Sequence, residues 1–196
     1  MPRSPLPWAC LALALLPLAA VHAAVAAPSF CDAPAGPSEQ AICADPELLA
    51  ADRRLAPVYA AALDQAGRRE RLRLRKEQED WWAGVRDCGK LDDVRACIAA
   101  AYETRTAELQ AMYRLVEARG PFRFECEDGS RIVVSYFATT PSSMVAVRGA
   151  ERVFMLVQRS GSGARYAGRG SSFWEHQGSA TVTWEAGAPE LQCKAI

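Results

Sequence analysis

The stretch GPFRFECEDGSRIVVSYF, Gly120 to Phe137, is where the chain changes character. Asp128-Gly129 stands between two runs rich in Phe, Val, Ile and Tyr, which is a tight-turn signal between antiparallel strands. Upstream, the chain is rich in Ala, Leu, Arg and Glu and carries no glycine from Ile98 to Arg119. Downstream, Val, Thr, Ser, Gly and aromatic residues take over. The first composition favours helices and the second favours short strands, so the chain reads as a helical part followed by a β part.

Working forward, the runs FRFECED, RIVVSYF, MVAVRG, ERVFMLVQR, ARYAG, SSFWEHQ, SATVTW and LQCKAI are separated by Gly, Pro and Ser. About eight strands with a turn every 8 to 12 residues predict a small antiparallel barrel or sandwich. So small a barrel closes its edges but holds little interior, and a covalent staple would suit it.

Working backward, CADPELLAADRRLAPVYAAAL starts a helix: Asp45 is a candidate N-cap and Pro46 takes the first helical position, where its missing N–H costs nothing. Leu48, Leu55, Tyr59 and Ala62 share one face, and Pro57 is expected to kink or split the helix. Leu74, Gln78, Trp81 or Trp82 and Val85 mark a second helix; Leu91, Val94, Ile98, Tyr102, Leu109, Met112 and Val116 mark a longer third one. Three amphipathic helices make a compact bundle.

The first 26 residues have one positive charge at Arg3, an uncharged Leu/Ala run broken by Pro17 and His22, and small residues Ala24 and Ala26 before Pro28. That is the layout of a signal peptide, and the run is short for a spanning helix. Cleavage after Ala26 would leave about 170 residues, one domain or two small ones. It would also remove Cys10 and leave Cys31, Cys43, Cys88, Cys97, Cys126 and Cys193. An even number of cysteines in an exported chain points to disulfides, though the count alone leaves the pairing open. Spacing suggests two local bridges, Cys31 to Cys43 and Cys88 to Cys97, with Cys126 to Cys193 tying the ends of the last segment. Zinc is disfavoured because no pair of cysteines has ligand spacing.

The basic run RRERLRLRKEQED, Arg68 to Asp80, is the natural place to look for nucleic-acid binding. Acidic residues follow the basic ones, with Arg73/Glu77 and Arg75/Glu79 spaced i,i+4 as on a solvated helix face, and the chain has no net charge. A footprint on DNA needs a sustained basic surface, so no nucleic-acid partner is expected. Catalysis is not expected either. The chain beyond the leader has a single histidine, no triad and no metal-ligand spacing, so no cofactor is implied.

Two resemblances sharpen this reading. CDAPAGPSEQAICADPELLAADRRLAPVYAAAL, with EQEDWWAGVRDC and CIAAAYETRTAEL after it, resembles the small Cys-rich helical domain called LprI-type, over about Phe30 to Leu115. Its polar matched positions include Gln78, Arg86 and Arg105. FECEDGSRIVV, SGSGARY, GRGSSFWEHQGSATVTW and LQCKAI resemble the MliC family of c-type lysozyme inhibitors, over about Phe122 to Ile196. With the leader read over 1–26, the resemblances imply an LprI-type domain over 28–118 and an MliC-type domain over 121–196. They imply a disulfide-clipped helical bundle followed by an eight-stranded antiparallel β-barrel.

The MliC resemblance also implies a partner, c-type lysozyme, whose substrate cleft the family blocks with a serine on one loop and a lysine on the next. Here the serine is Ser162, flanked by Gly161 and Gly163 and followed by Arg165 and Tyr166. The lysine position reads His176, and the following glycine, Gly178, is displaced by one. Without the resemblance, the Ser/Gly run reads equally well as a tight hairpin connection, and His176 as a surface histidine.

The chemistry is independent of the resemblance. A glycosidase cleft holds a carboxylic acid and a carboxylate, and a hydroxyl can bond to either form. A lysine about 4 Å from the carboxylate would gain on the order of 4 kcal/mol at a surface-like dielectric, whereas a neutral histidine offers a hydrogen bond of about 1 kcal/mol. A protonated histidine recovers the charge, so inhibition is expected to strengthen as pH falls, with Arg165 or Arg169 as alternative cations. The resulting expectation is a periplasmic or secreted lysozyme inhibitor. The alternative is a cell-envelope module that recognises peptidoglycan or another envelope protein without inhibiting anything, and Ser162→Ala separates the two.

Overall fold

The computed structural model describes residues 28–196; the expected leader, 1–26, lies outside the described residues. Four helices come first: α1 (Pro37–Ala44), α2 (Pro46–Gln65), α3 (Arg68–Asp87) and α4 (Val94–Met112), with single 3-10 turns at Ser29–Asp32 and Cys88–Lys90. Eight strands follow: β1 (Ala118–Cys126), β2 (Arg131–Phe137), β3 (Ser143–Arg148), β4 (Glu151–Gln158), β5 (Ala164–Ala167), β6 (Ser172–His176), β7 (Ser179–Thr183) and β8 (Leu191–Ala195). They form a closed antiparallel barrel in sequence order, with β8 paired back to β1.

The start of α2 is as expected. The Asp45 side chain accepts hydrogen bonds from the backbone N–H groups of Glu47 at 2.8 Å and Leu48 at 3.3 Å. The expected break at Pro57 does not occur, since α2 runs unbroken from Pro46 to Gln65. An interior proline costs a helix about 3 kcal/mol, and here Leu48, Ala51, Leu55 and Ala62 offset it by burying one face in the bundle core. The third expected helix is shorter than its apolar pattern. Asp93 caps α4 through the Ala96 N–H, leaving Leu91 exposed, and Arg114 adopts a left-handed φ of 51°, which ends the helix before Val116. A short fourth helix, α1, is clipped to the preceding 3-10 turn by Cys31–Cys43.

Within the bundle, Ile98, Tyr102, Arg105 and Leu109 line the buried face of α4. Trp81 packs edge-on against Tyr102 at 5.1 Å and donates to the Ala101 carbonyl, while Trp82 packs on Phe30 at 5.3 Å. Both tryptophans thus serve the core. The Tyr102 hydroxyl donates to Asp52 at 3.0 Å, and burial pushes the Asp52 carboxyl above its usual range, partly countered by that bond. On α3, Arg73 pairs with Glu70 and Glu77; the expected Arg75/Glu79 pair does not form, and Lys76 pairs with Asp80 instead.

The barrel core contains Phe124, Ile132, Val134, Met144, Met155, Phe173, Val182 and Trp184. Cys126 and Cys193 face each other across β1 and β8 and are bonded, and Cys88 is bonded to Cys97, so all three expected bridges are present. β3 is buried on both faces over Ser143–Ala146, as a strand covered on each side should be. The covering element is the end of α4, where Ala111 joins Phe137 and Val145 in a separate cluster with Met112, Val116 and Phe154 around it. Arg152 of β4 reaches back to the Met112 carbonyl at 3.3 Å and to Glu70 at 3.4 Å.

Candidate functional site

In an up-and-down barrel, the β4–β5 and β6–β7 connections emerge at the same end. The β4–β5 connection carries Ser162 and belongs to an unbroken exposed stretch from Val157 to Gly163. The β6–β7 connection is a two-residue turn, Gln177 and Gly178, both at left-handed φ (51° and 77°), beneath the paired residues His176 and Ser179. Such a turn matches the twist of the flanking strands, and an L-residue such as Gln177 is uncommon there.

The β4–β5 turn is tied to β6 and to itself through the Ser162 carbonyl. The Trp174 indole N–H donates to the Ser162 carbonyl at 3.0 Å, and the Ser160 hydroxyl donates to the same carbonyl at 2.5 Å. Gly163 has φ +66°, and a Cβ there would lie 2.2 Å from the Glu175 carbonyl oxygen. That position needs glycine for internal packing, and so the two glycines around Ser162 differ in role. Gly161 meets nothing within 4 Å and is free to approach a partner.

Between the turns lies a shallow depression of about 390 Å³, lined by Ser162, Trp174, His176, Gln177, Ser179 and Thr181. Ser162 and His176, fourteen positions apart in sequence, therefore face one surface. Trp174 is 43% exposed while its neighbour Phe173 is fully buried, the expected alternation of faces. Arg165 is exposed on the outer face directly opposite Trp174 in the β5–β6 register. Tyr166 points the other way: it packs on the barrel core and lies 5.4 Å from the Tyr136 ring, with burial raising its hydroxyl pKa. Arg169 sits on the β5–β6 connection at the opposite end of the barrel, where it lines a hollow with Trp184 and Glu185, so it is no stand-in for the missing lysine. Sequence reasoning missed the Trp174 indole as the clasp of the Ser162 loop. The alternation FWEH marked its exposure, but nothing in the order of residues marks its acceptor.

Residues 31–109 match the family model described as lysozyme inhibitor LprI, and residues 124–191 match the one described as membrane-bound lysozyme-inhibitor of c-type lysozyme. The chain is also 33% identical over 151 residues to lipoprotein LprI of Mycobacterium tuberculosis H37Rv and of Mycobacterium bovis, covering 76% of this chain and 75% of each relative. The chain belongs to the LprI family. Within that family chain, the LprI match falls on the helical bundle and the MliC match on the barrel, in the order read from sequence. Among solved structures, Pseudomonas aeruginosa MliC in complex with hen egg white lysozyme aligns with 41% of this chain and 83% of that one, at 23% identity and a TM-score of 0.34. Among the described residues, no helix of this LprI relative is long and apolar enough to cross a membrane.

Proposed function

We propose that this protein is an exported, non-catalytic inhibitor of c-type lysozyme that protects bacterial peptidoglycan, and that its barrel plugs the enzyme's substrate cleft. The family models on both halves support inhibition as the activity. The observation that carries the site is the depression shared by Ser162 and His176, with two exposed turns rising on either side of it. Ser162 engages its own protein through its carbonyl, which leaves the hydroxyl to serve a partner. The hydroxyl can donate to the catalytic carboxylate or accept from the carboxylic acid, and the imidazolium of His176 can pair with the carboxylate.

Preorganisation supports the same reading. A plug whose loop is already clasped by Trp174 and packed on Glu175 loses little entropy on binding. Gly161, Gly163 and Arg165 complete the contact surface in this proposal. Tyr166 contributes from inside by holding β5 on the barrel core.

The test is inhibition of hen-type lysozyme acting on bacterial walls. Ser162→Ala should raise the inhibition constant roughly tenfold, the equivalent of about 1.4 kcal/mol, without altering the circular dichroism spectrum. An unchanged constant would refute the plug, and retained binding to peptidoglycan alone would point to the envelope-module reading.

A further inference from the structure

The large apolar side chains left exposed are unevenly placed. Among the described residues they are Leu72 and Leu91 in the helical half, and Phe122, Val157, Trp174 and Ile196 in the barrel. All four barrel residues stand toward the end that carries Ser162 and His176. Val157 opens the exposed stretch that runs to Gly163, and Trp174 clasps that stretch. The carbonyl of Gly178, in the β6–β7 turn, accepts from the Ala195 N–H at 2.8 Å, and the Ile196 N–H donates to the Arg123 carbonyl at 3.0 Å. The end of β8 thus links the His176 turn directly to the neighbour of Phe122.

The path of β1 keeps Phe122 at the surface. β8 pairs with β1 only as far as Phe124, opposite Ala195, so Phe122 lies past the last rung, at the rim of the barrel. The β1–β2 register shifts between Arg119 and Phe122, and Gly120 sits in that shift at φ +120°. A Cβ on Gly120 would come within 3.1 Å of the Phe122 ring and 3.0 Å of the Val134 carbonyl oxygen, so the irregularity needs glycine to seat the ring. Bulges at barrel rims re-aim side chains in this way. From Phe122 a row of rings crosses the mouth of the barrel: Phe122 to Tyr136 at 5.7 Å, then Tyr136 to Tyr166 at 5.4 Å, with Val157 paired opposite Tyr166. The two tyrosines rest on the barrel core, while Phe122 and Val157 are 39% and 42% exposed. Single exposed apolar residues are ordinary, but a continuous aromatic row beside a polar contact is the anatomy of a protein interface, where aromatic anchors carry much of the binding energy.

We propose that this aromatic rim is a second contact with lysozyme, in which the lip of the enzyme's substrate cleft covers Phe122 and Val157 beside the plug formed by Ser162 and His176. The inference rests on the plug reading for which end of the barrel meets the enzyme. Rings already seated on a closed barrel lose little freedom on binding, so the rim adds affinity to the polar contact.

Inhibition assays and calorimetry of the full chain with hen-type lysozyme test this. Phe122→Ser should raise the inhibition constant roughly tenfold, as loss of an aromatic anchor does, and Val157→Ser should raise it severalfold. The heat-capacity change of binding should become less negative in both variants, because less apolar surface is buried, and should keep the parent value in Ser162→Ala. If Ser162→Ala weakens inhibition while Phe122→Ser and Val157→Ser leave the constant and the heat-capacity change untouched, the rim contact is wrong and the plug stands. If Phe122→Ser and Val157→Ser weaken inhibition while Ser162→Ala does not, the plug is wrong and the rim stands. Self-association of the parent that Phe122→Ser abolishes without altering inhibition would overturn the inference, with a second copy of the chain as the occupant. If Phe122→Ser does not fold, Val157→Ser decides, because Val157 is an exposed residue near the end of β4.

Discussion

The indole nitrogen of Trp174 lies 3.0 Å from the carbonyl oxygen of Ser162, so an exposed aromatic on β6 holds the backbone of the β4–β5 turn. Trp174→Phe keeps the apolar body and removes the donor. Loss of one such bond costs about 1 kcal/mol, and inhibition of lysozyme should weaken severalfold while the thermal midpoint shifts by only a few degrees. Unchanged inhibition would mean that the clasp does not order the turn.

The glycines on either side of Ser162 should respond differently. Gly163→Ala forces a Cβ to within 2.2 Å of the Glu175 carbonyl at a left-handed φ, so the hairpin must move. We expect a loss of about 1–3 kcal/mol, visible as a lower melting temperature. Gly161→Ala meets nothing in this chain and should melt like the parent, with any effect confined to lysozyme affinity.

In the proposed complex, His176 would give inhibition a pH dependence that a lysine would not. An imidazolium paired with a carboxylate has its proton held more tightly when bound, so the added affinity is full in acid and fades as pH rises through the bound-state value. Inhibition constants measured from pH 8 down to pH 5 should fall in the parent and stay flat in His176→Lys. A flat profile in the parent would remove His176 from the contact.

Acid should loosen the helical half through Asp45. Its carboxylate accepts from the side chain of Arg95 and from two backbone N–H groups at the start of α2, which lowers its pKa below the usual 3.8. A depressed folded value means the stabilisation is present above the unfolded value and is lost as pH falls through the folded one. Asp45→Ala should lower the stability of the helical half near neutral pH through loss of the cap, and the difference from the parent should shrink below pH 3.8. A constant difference down to strong acid would contradict this.

The Cys126–Cys193 bridge closes 67 residues of barrel sequence. On the chain-entropy picture a loop of that length contributes about 4 kcal/mol. The double substitution Cys126→Ser/Cys193→Ser should therefore lower the denaturant midpoint of the barrel far more than a surface substitution does. An unchanged midpoint would show that strand pairing alone holds β1 to β8.

Much was legible in the order of residues because local chemistry repeats with the period of the local structure. The Asp128-Gly129 turn, the eight apolar runs, the Asp45-Pro46 helix start and the three cysteine pairs all stand in the structure where they were read. Pro57 misled, since its local penalty is outweighed by core packing that depends on α4, distant in sequence. The apolar pattern also overran α4 at both ends, because Asp93 and the left-handed Arg114 stop the helix irrespective of Leu91 and Val116.

What the sequence alone determined, then, is the division into helices and strands, the family, and the candidacy of Ser162 and His176. Closure of the barrel brings their turns to one surface, sets Tyr166 against the core and Arg169 at the opposite end, and gives Trp174 its acceptor. Only the folded bundle buries Arg105 so that its Nη2 is left without an acceptor. The physical reason is that hydrogen-bond partners and enclosed volumes are set by distances between segments remote in the chain, which no local pattern of side chains encodes.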